Sequence, residues 1–403
     1  MVARNTSDWF QNTAWSDSEI EQASLSPGEP MKMTNSTDVP DTTTPYFVEF
    51  LDDTTRRILD IVMEYVVLFS IGVLGIITNV LVILVYARQG FKESVAVSMT
   101  TIAIWDLIKS IAGVMERCSG ILSLWDPAAA FSWSNISVVA FNYLVCFSSY
   151  VTSVLASYVA IERCLCVTIP LHVKWLLTPK ITLIACLVIS VVVFGSFSVI
   201  FAIYDIVWEW DAAFNSTVAV YKKNRVYLQN EMTIFQYYNF SGIIWPLASF
   251  VVICVATVII VHKLRQGSKF RAGLNQITLP SGLESQGKGQ NKNQKQLDQQ
   301  QLSSRDRQVV KMLLVIIVIY IVCLSPRITH YIVKVFVHEF YFLRRYHKLF
   351  EFVLYWFWLG DFVNGALNFF VFYNMSSSFR TTFHGMFKSH RGSSSSRPSA
   401  SNF

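Results

Sequence analysis

Seven apolar stretches interrupt an otherwise polar chain, at about 61–86, 94–117, 138–166, 181–203, 238–264, 308–335 and 350–373. Each runs roughly 20–28 residues, long enough as a helix to cross ~30 Å of hydrocarbon. Backbone polar groups in lipid are satisfied only in helices or closed barrels, and runs of this length predict helices. The pattern predicts an all-α membrane protein, a bundle of seven transmembrane helices. The fourth stretch is nearly unbroken, whereas the second carries Asp106, Lys109, Glu116 and Arg117. After the seventh, Phe379, Phe383, Met386 and Phe387 recur at helical spacing with Arg380 and Lys388 opposite. That spacing predicts a short amphipathic helix over about 377–388, lying on the inner membrane surface.

An odd number of spans puts the termini on opposite sides. Residues 1–57 are polar and rich in Ser, Thr and Asp, and predict a disordered, glycosylated extracellular segment. Its sequons are at Asn5 and Asn35, and two more, at Asn135 and Asn215, fall in loops that the parity places on the same side. Lys and Arg favour the opposite side, as expected of cytoplasmic segments, although Arg56 and Arg57 argue mildly the other way. The plasma membrane is the predicted location, with the first span acting as an uncleaved signal anchor. The receptor-sized unit is 58–388, interrupted by the inner loop 265–307. The middle of that loop, Gln286 to Gln301, cannot bury a core and predicts disorder, either a tether or a docking segment. The last segment, 389–403, is a Ser-rich cytoplasmic tail suited to phosphorylation.

Composition agrees with this picture. Hydrophobic residues make up 53% of 403, and mean hydropathy is +0.41, too apolar for a soluble domain. The net charge of +6 follows from the basic inner face, and no nucleic-acid motif is present. The seven cysteines lie in or beside the spans, which argues against a disulfide framework.

Ionisable residues inside a membrane are functional candidates. Asp106 lies near the middle of the second span, and Asn79, Thr152, Asn364 and Asn368 complete a polar set facing the bundle axis. A carboxylate with hydroxyl and amide oxygens suits a hydrated sodium ion at Asp106, and equally a structural hydrogen-bonded core. Lys109 and Asp361 are placed to pair across the bundle, which would remove two isolated charges at once. Arg327 follows the helix-kinking Pro326 and points either into an outer cavity, as a ligand contact, or towards a carboxylate such as Asp361. At the inner face Arg163 needs an acid. Glu162 is adjacent, and Asp306 begins the sixth span. An Arg163–Asp306 bridge would tie spans three and six and form a two-state element for an outside ligand to bias.

Several short motifs recur in order across the spans. They are Gly75-Ile-Ile-Thr-Asn79-Val, Asp106, Glu162-Arg163-Cys164, Pro246, Cys323-Leu324-Ser325-Pro326, Asn368-Phe-Phe-Val-Phe372 and Phe379-Arg380. Over about 58–388 the chain resembles the rhodopsin-like (class A) G-protein-coupled receptors. Glu162-Arg163-Cys164 stands where that family has Asp-Arg-Tyr, and Asn368 opens the counterpart of Asn-Pro-x-x-Tyr. Leu324 replaces the span-six tryptophan, Phe369 and Phe372 replace a proline and a tyrosine, and Val138 stands at the place of a bridging cysteine. The Asn-Phe-Phe variant resembles invertebrate neuropeptide receptors. Gln89-Gly-Phe-Lys-Glu-Ser94 and the run from Glu162 to Lys174 resemble molluscan orphan and chemosensory receptors.

The resemblance implies a receptor that binds an extracellular peptide or small chemosensory molecule and activates a heterotrimeric G protein. Arrestin, a receptor kinase and membrane lipid are further implied partners. Glu162, Arg163, Asp306 and Asn368 would form the coupling switch. Val145, Tyr150, Tyr238, Asn239, Arg327, Tyr331 and Trp358 would line the ligand pocket. Val145 takes the place of the amine receptors' aspartate, which argues against a monoamine. The absence of lysine from the seventh span excludes a retinal Schiff base. No cofactor is implied beyond the allosteric sodium. Two other classes fit less well. An intramembrane aspartyl protease would use Asp106 and Asp361 as a proton-sharing pair but needs more spans, and a transporter would show internal repeats.

Overall fold

Chain-encoded caps set the ends of the helices. In this computed structural model, which describes residues 52–169, 175, 177–277, 304–337, 339–340 and 345–388, the Asp52 carboxylate accepts from the Thr55 amide and starts the first helix. That helix, α1 (Thr54–Gln89), is interrupted by a π-helical segment at Val62–Leu68 and ends at Gly90, whose φ of +74° favours glycine. α2 spans Ser94–Leu122. α3 (Pro127–Thr168) opens with Pro127 at its first position and Asp126 accepting from the Ala128 and Ala129 amides. Thr178 and Pro179 start α4 (Pro179–Ala202) in the same way. α5 spans Arg225–Ile277, α6 Ser304–Phe336, α7 His347–Met375 and α8 Ser377–Lys388.

The helices close into a ring. α1 packs on α2 and α7, α2 on α3 and α4, α3 on α4 and α5, and α6 on α5 and α7. Gly360 lets α6 and α7 meet closely, because a Cβ there would lie 2.4 Å from the Cys323 carbonyl oxygen. Among the described residues, α1 to α6 each hold a segment long and apolar enough to cross a membrane. α7, which carries Glu351, Asp361 and several Trp, Tyr and Asn residues, is not among them. It turns its polar residues into the bundle: Asp361, Asn364 and Asn368 are buried.

The protein is mostly helical, with one addition. A hairpin of β1 (Tyr204–Asp211) and β2 (Ser216–Lys223) pairs antiparallel from Tyr204 opposite Lys223 to Asp211 opposite Ser216. Asn215 turns it with a φ of +50°. Val218 and Ala219 of β2 are buried, and the Ala219 amide donates to Ser132 Oγ at 3.1 Å, seating the hairpin on the start of α3.

Three boundaries differ from those the apolar runs predict. α3 begins at Pro127 and α5 at Arg225, both well before their apolar stretches, and α5 continues to Ile277. Helices extend into polar sequence where caps permit, and hydropathy marks only the part suited to lipid. Asn5, Asn35, the loop segment Gln286–Gln301 and the Ser-rich tail lie outside the described residues.

α8 packs on the bundle. Phe379 is buried against Tyr86 of α1 and Phe372 of α7, with ring centroids 5.7 and 5.6 Å away. Arg380 donates to the Asn374 carbonyl at 2.8 Å, capping the end of α7. Leu324 is buried with Tyr320, Ile253 and Ala256 between α3, α5 and α6.

Candidate functional site

Two buried ion pairs occupy the bundle axis. Lys109 Nζ lies 2.7 Å from Asp106 Oδ1, three residues earlier on the same face of α2. Arg327 of α6 forms the other with Asp361 of α7. The pair expected between Lys109 and Asp361 is therefore corrected. Lys109 finds a carboxylate one turn away on its own helix, and the close approach at Gly360 brings Arg327 to Asp361 first. Each carboxylate holds its own cation, an arrangement unlike two acids sharing a proton.

Asp106 is fully buried, and its second oxygen accepts from Asn368 Nδ2 at 3.3 Å. Asn79 donates to the carbonyls of Gly75 and Gly365 at 2.9 and 3.2 Å, bridging α1 to α7. Thr152 is buried beside this group but donates to the Ser149 carbonyl of its own helix. The Oδ1 atoms of Asn79 and Asn364 are buried without a hydrogen-bond partner.

Arg327 is enclosed by aromatic rings. Its guanidinium carbon lies 4.2 Å from the Phe357 centroid and 5.3 Å from that of Tyr150. The Tyr150 and Tyr331 hydroxyls meet at 3.0 Å. Arg327 Nε and Nη1 are buried without hydrogen-bond partners. Asn239 accepts at 2.7 Å from Lys334, two turns along α6 from Arg327. Tyr238 stacks on Phe147 and Phe197 and donates to the Phe197 carbonyl at 3.0 Å.

The seven expected pocket residues do not form one surface. Tyr150, Arg327 and Tyr331 converge. Val145 and Trp358 instead pack with Leu68, Ala112 and Phe362, between α1, α2, α3 and α7. Phe357 is the aromatic residue that α7 turns towards Arg327, and its neighbour Trp358 points some 100° away around the helix. Sequence spacing fixed the helix but not its rotation.

Near the Thr168 end of α3, Arg163 Nη2 lies 2.9 Å from Glu162 Oε1, and both side chains are buried. Asp306 lies in the first turn of α6, and its side chain is outside the described residues. The sequon at Asn135 is corrected. Its side chain is 1% exposed and donates to the Phe131 carbonyl within α3, because this helix starts eleven residues before the apolar run. Asn215 is exposed at the hairpin tip.

A second network, which the spacing did not reveal, ties the first turns of α1 to α2 and α7. Arg117 Nε lies 2.8 Å from Glu64 across α1 and α2, Arg56 pairs with Glu351, and Tyr355 donates to Asp60 at 2.7 Å. Each contact joins α1 to α2 or α7, and the acids of α1 (Asp60 and Glu64, four apart) were its sequence signal.

No curated protein matches this chain. The family described as serpentine type 7TM GPCR chemoreceptor Srw matches residues 66–390, and the chain belongs to it: a multi-pass membrane protein of the chemosensory G-protein-coupled receptor class, not an enzyme.

Proposed function

We propose that this chemosensory receptor recognises a ligand bearing a carboxylate, either a peptide or a small molecule, through Arg327. The observation that carries this reading is the state of that side chain. It is wholly buried in a cage of Tyr150, Phe357 and Tyr331, while Nε and Nη1 have no hydrogen-bond partner. A buried guanidinium with unmet donors is unfavourable unless something completes its shell, and a carboxylate matches its planar fork. Asp361 fills part of that role and would be displaced or joined by the ligand. Tyr238, Asn239 and Lys334 lie on the route from outside and supply stacking and a second positive charge.

On this reading the receptor works as the rhodopsin-like receptors do, in the plasma membrane with its N-terminus outside. Ligand binding would reset the contact of α6 with α7, opening the inner end to a heterotrimeric G protein. Glu162 and Arg163, with Asp306 and Asn368, would form the coupling switch. Phosphorylation of the Ser-rich tail by a receptor kinase would then recruit arrestin. The likeness to invertebrate neuropeptide and molluscan chemosensory receptors supports a water-soluble stimulus.

The test is G-protein dissociation by energy transfer in cells expressing the chain, challenged with fractionated peptides and metabolites before and after esterification. An active fraction should lose potency when its carboxylates are esterified and when Arg327 becomes Gln at equal surface level. A fraction equally active on Arg327→Gln would remove Arg327 from the pocket.

A further inference from the structure

The family resemblance places a sodium ion at Asp106, and the residues around Asp106 do not fit one. Its Oδ1 is 2.7 Å from Lys109 Nζ, and its Oδ2 accepts from Asn368 at 3.3 Å. The aspartate is fully buried and the lysine 1% exposed, so neither side chain is held there by water. A sodium ion bound to Asp106 would stand within a few ångströms of the ammonium. In a buried site that repulsion is weakly screened.

We infer that Lys109 is a tethered counter-cation. Its ammonium fills the place that a monovalent cation would take at Asp106, so the folded receptor does not depend on sodium. Lys109 and Asp106 are one turn apart on α2, so cation and carboxylate move together and occupancy cannot follow the salt outside. Lys is a compact point charge with three donors, closer to a hydrated ion than arginine would be. The buried, unpartnered oxygens of Asn79 and Asn364, on α1 and α7, are the acceptors a true ion could use once the ammonium is gone. A cavity of about 20 Å³ reaches Asn368 from the inner half, room for a single water-sized guest.

The experiment measures thermal unfolding of the full chain in nanodiscs, titrated with sodium chloride or with choline chloride at equal ionic strength. Wild type should show the same midpoint in both salts at every concentration. Lys109→Met, which keeps an unbranched stem one atom shorter and removes the charge, should gain a saturable rise of several degrees in sodium alone. Lys109→Gln is the second variant should Lys109→Met fail to fold. Asp106→Asn combined with Lys109→Met should lose the sodium response again. A saturable, sodium-specific rise in wild type overturns the proposal, and that arm needs no variant. Variants that fold but show no sodium response overturn it too, because the ammonium would then be a pairing group and not a substitute for an ion.

Discussion

Breaking the Arg327–Asp361 pair should destabilise the receptor far more than deleting it. Arg327 is wholly buried, and Asp361 nearly so, between α6 and α7. Arg327→Met leaves the carboxylate without a counter-ion, a change worth about 3–5 kcal/mol where buried pairs have been cut. It also removes the cation–π contacts to Phe357 and Tyr150, worth roughly 0.5–2 kcal/mol. Arg327→Met with Asp361→Leu removes both charges and retains the volume, and such replacements are neutral or stabilising by about 1–4 kcal/mol. At about 2–4 °C per kcal/mol, each single change should lower the unfolding midpoint by roughly 10 °C. The double change should restore most of that loss. The seven cysteines are unpaired and lie in or beside the helices, so a thiol-reactive dye reports unfolding directly. A double variant as unstable as the two singles summed would refute the reasoning, since the residues would then act independently.

Other consequences are as direct. Gly360→Ala would set a methyl group 2.4 Å from the Cys323 backbone carbonyl, so α6 and α7 must part. Surface level, read by antibody on intact cells, should fall severalfold, and a normal level would refute the close approach. Glu162→Gln removes the charge facing Arg163, and agonist-free G-protein activation should rise roughly threefold to tenfold, about 0.6–1.4 kcal/mol; unchanged basal activity at equal surface level would count against that restraint. Asn215→Gln should increase mobility on a gel by one glycan whereas Asn135→Gln should not, and a shift with Asn135→Gln would contradict its burial. Ser132→Ala leaves the buried Ala219 amide without its acceptor and should cost about 1–3 kcal/mol, visible as faster proteolysis in the hairpin; unchanged cleavage would show that Ser132 does not hold it.

The sequence disclosed length and polarity well and rotation poorly. The long apolar runs located α1 to α7, because burial in lipid demands that length, and amphipathic spacing located α8. The early start of α3 was readable from Asp126-Pro127, a capping pair that hydropathy alone passes over. The hairpin also had a signal: Trp208, Glu209, Trp210 and Asp211 alternate before the Asn215 turn, and β-branched residues follow. Within the site, the Asp106–Lys109 contact was local, written in a spacing of three. Whether Arg327 or Lys109 reaches Asp361 depends on the register of α6 against α7, which Gly360 sets across 34 residues of chain. Phe357 was missed for the same reason, since adjacent residues on a helix differ by about 100° and only packing chooses between them.

α5 runs 53 residues from Arg225 to Ile277, and its one non-helical residue, Asn230, lies near the Arg225 end. Beyond that break some 47 residues form one helix that carries Pro246, about 70 Å long at 1.5 Å per residue, where ~30 Å suffices for the hydrocarbon. Pivoted near Phe250, the rod has a lower arm of roughly 40 Å. A tilt of only ~10° at that pivot would sweep its tip through roughly 7 Å, more than one helical pitch. Small adjustments around Tyr238 and Asn239 would thus arrive at the Ile277 end of α5 amplified by geometry alone.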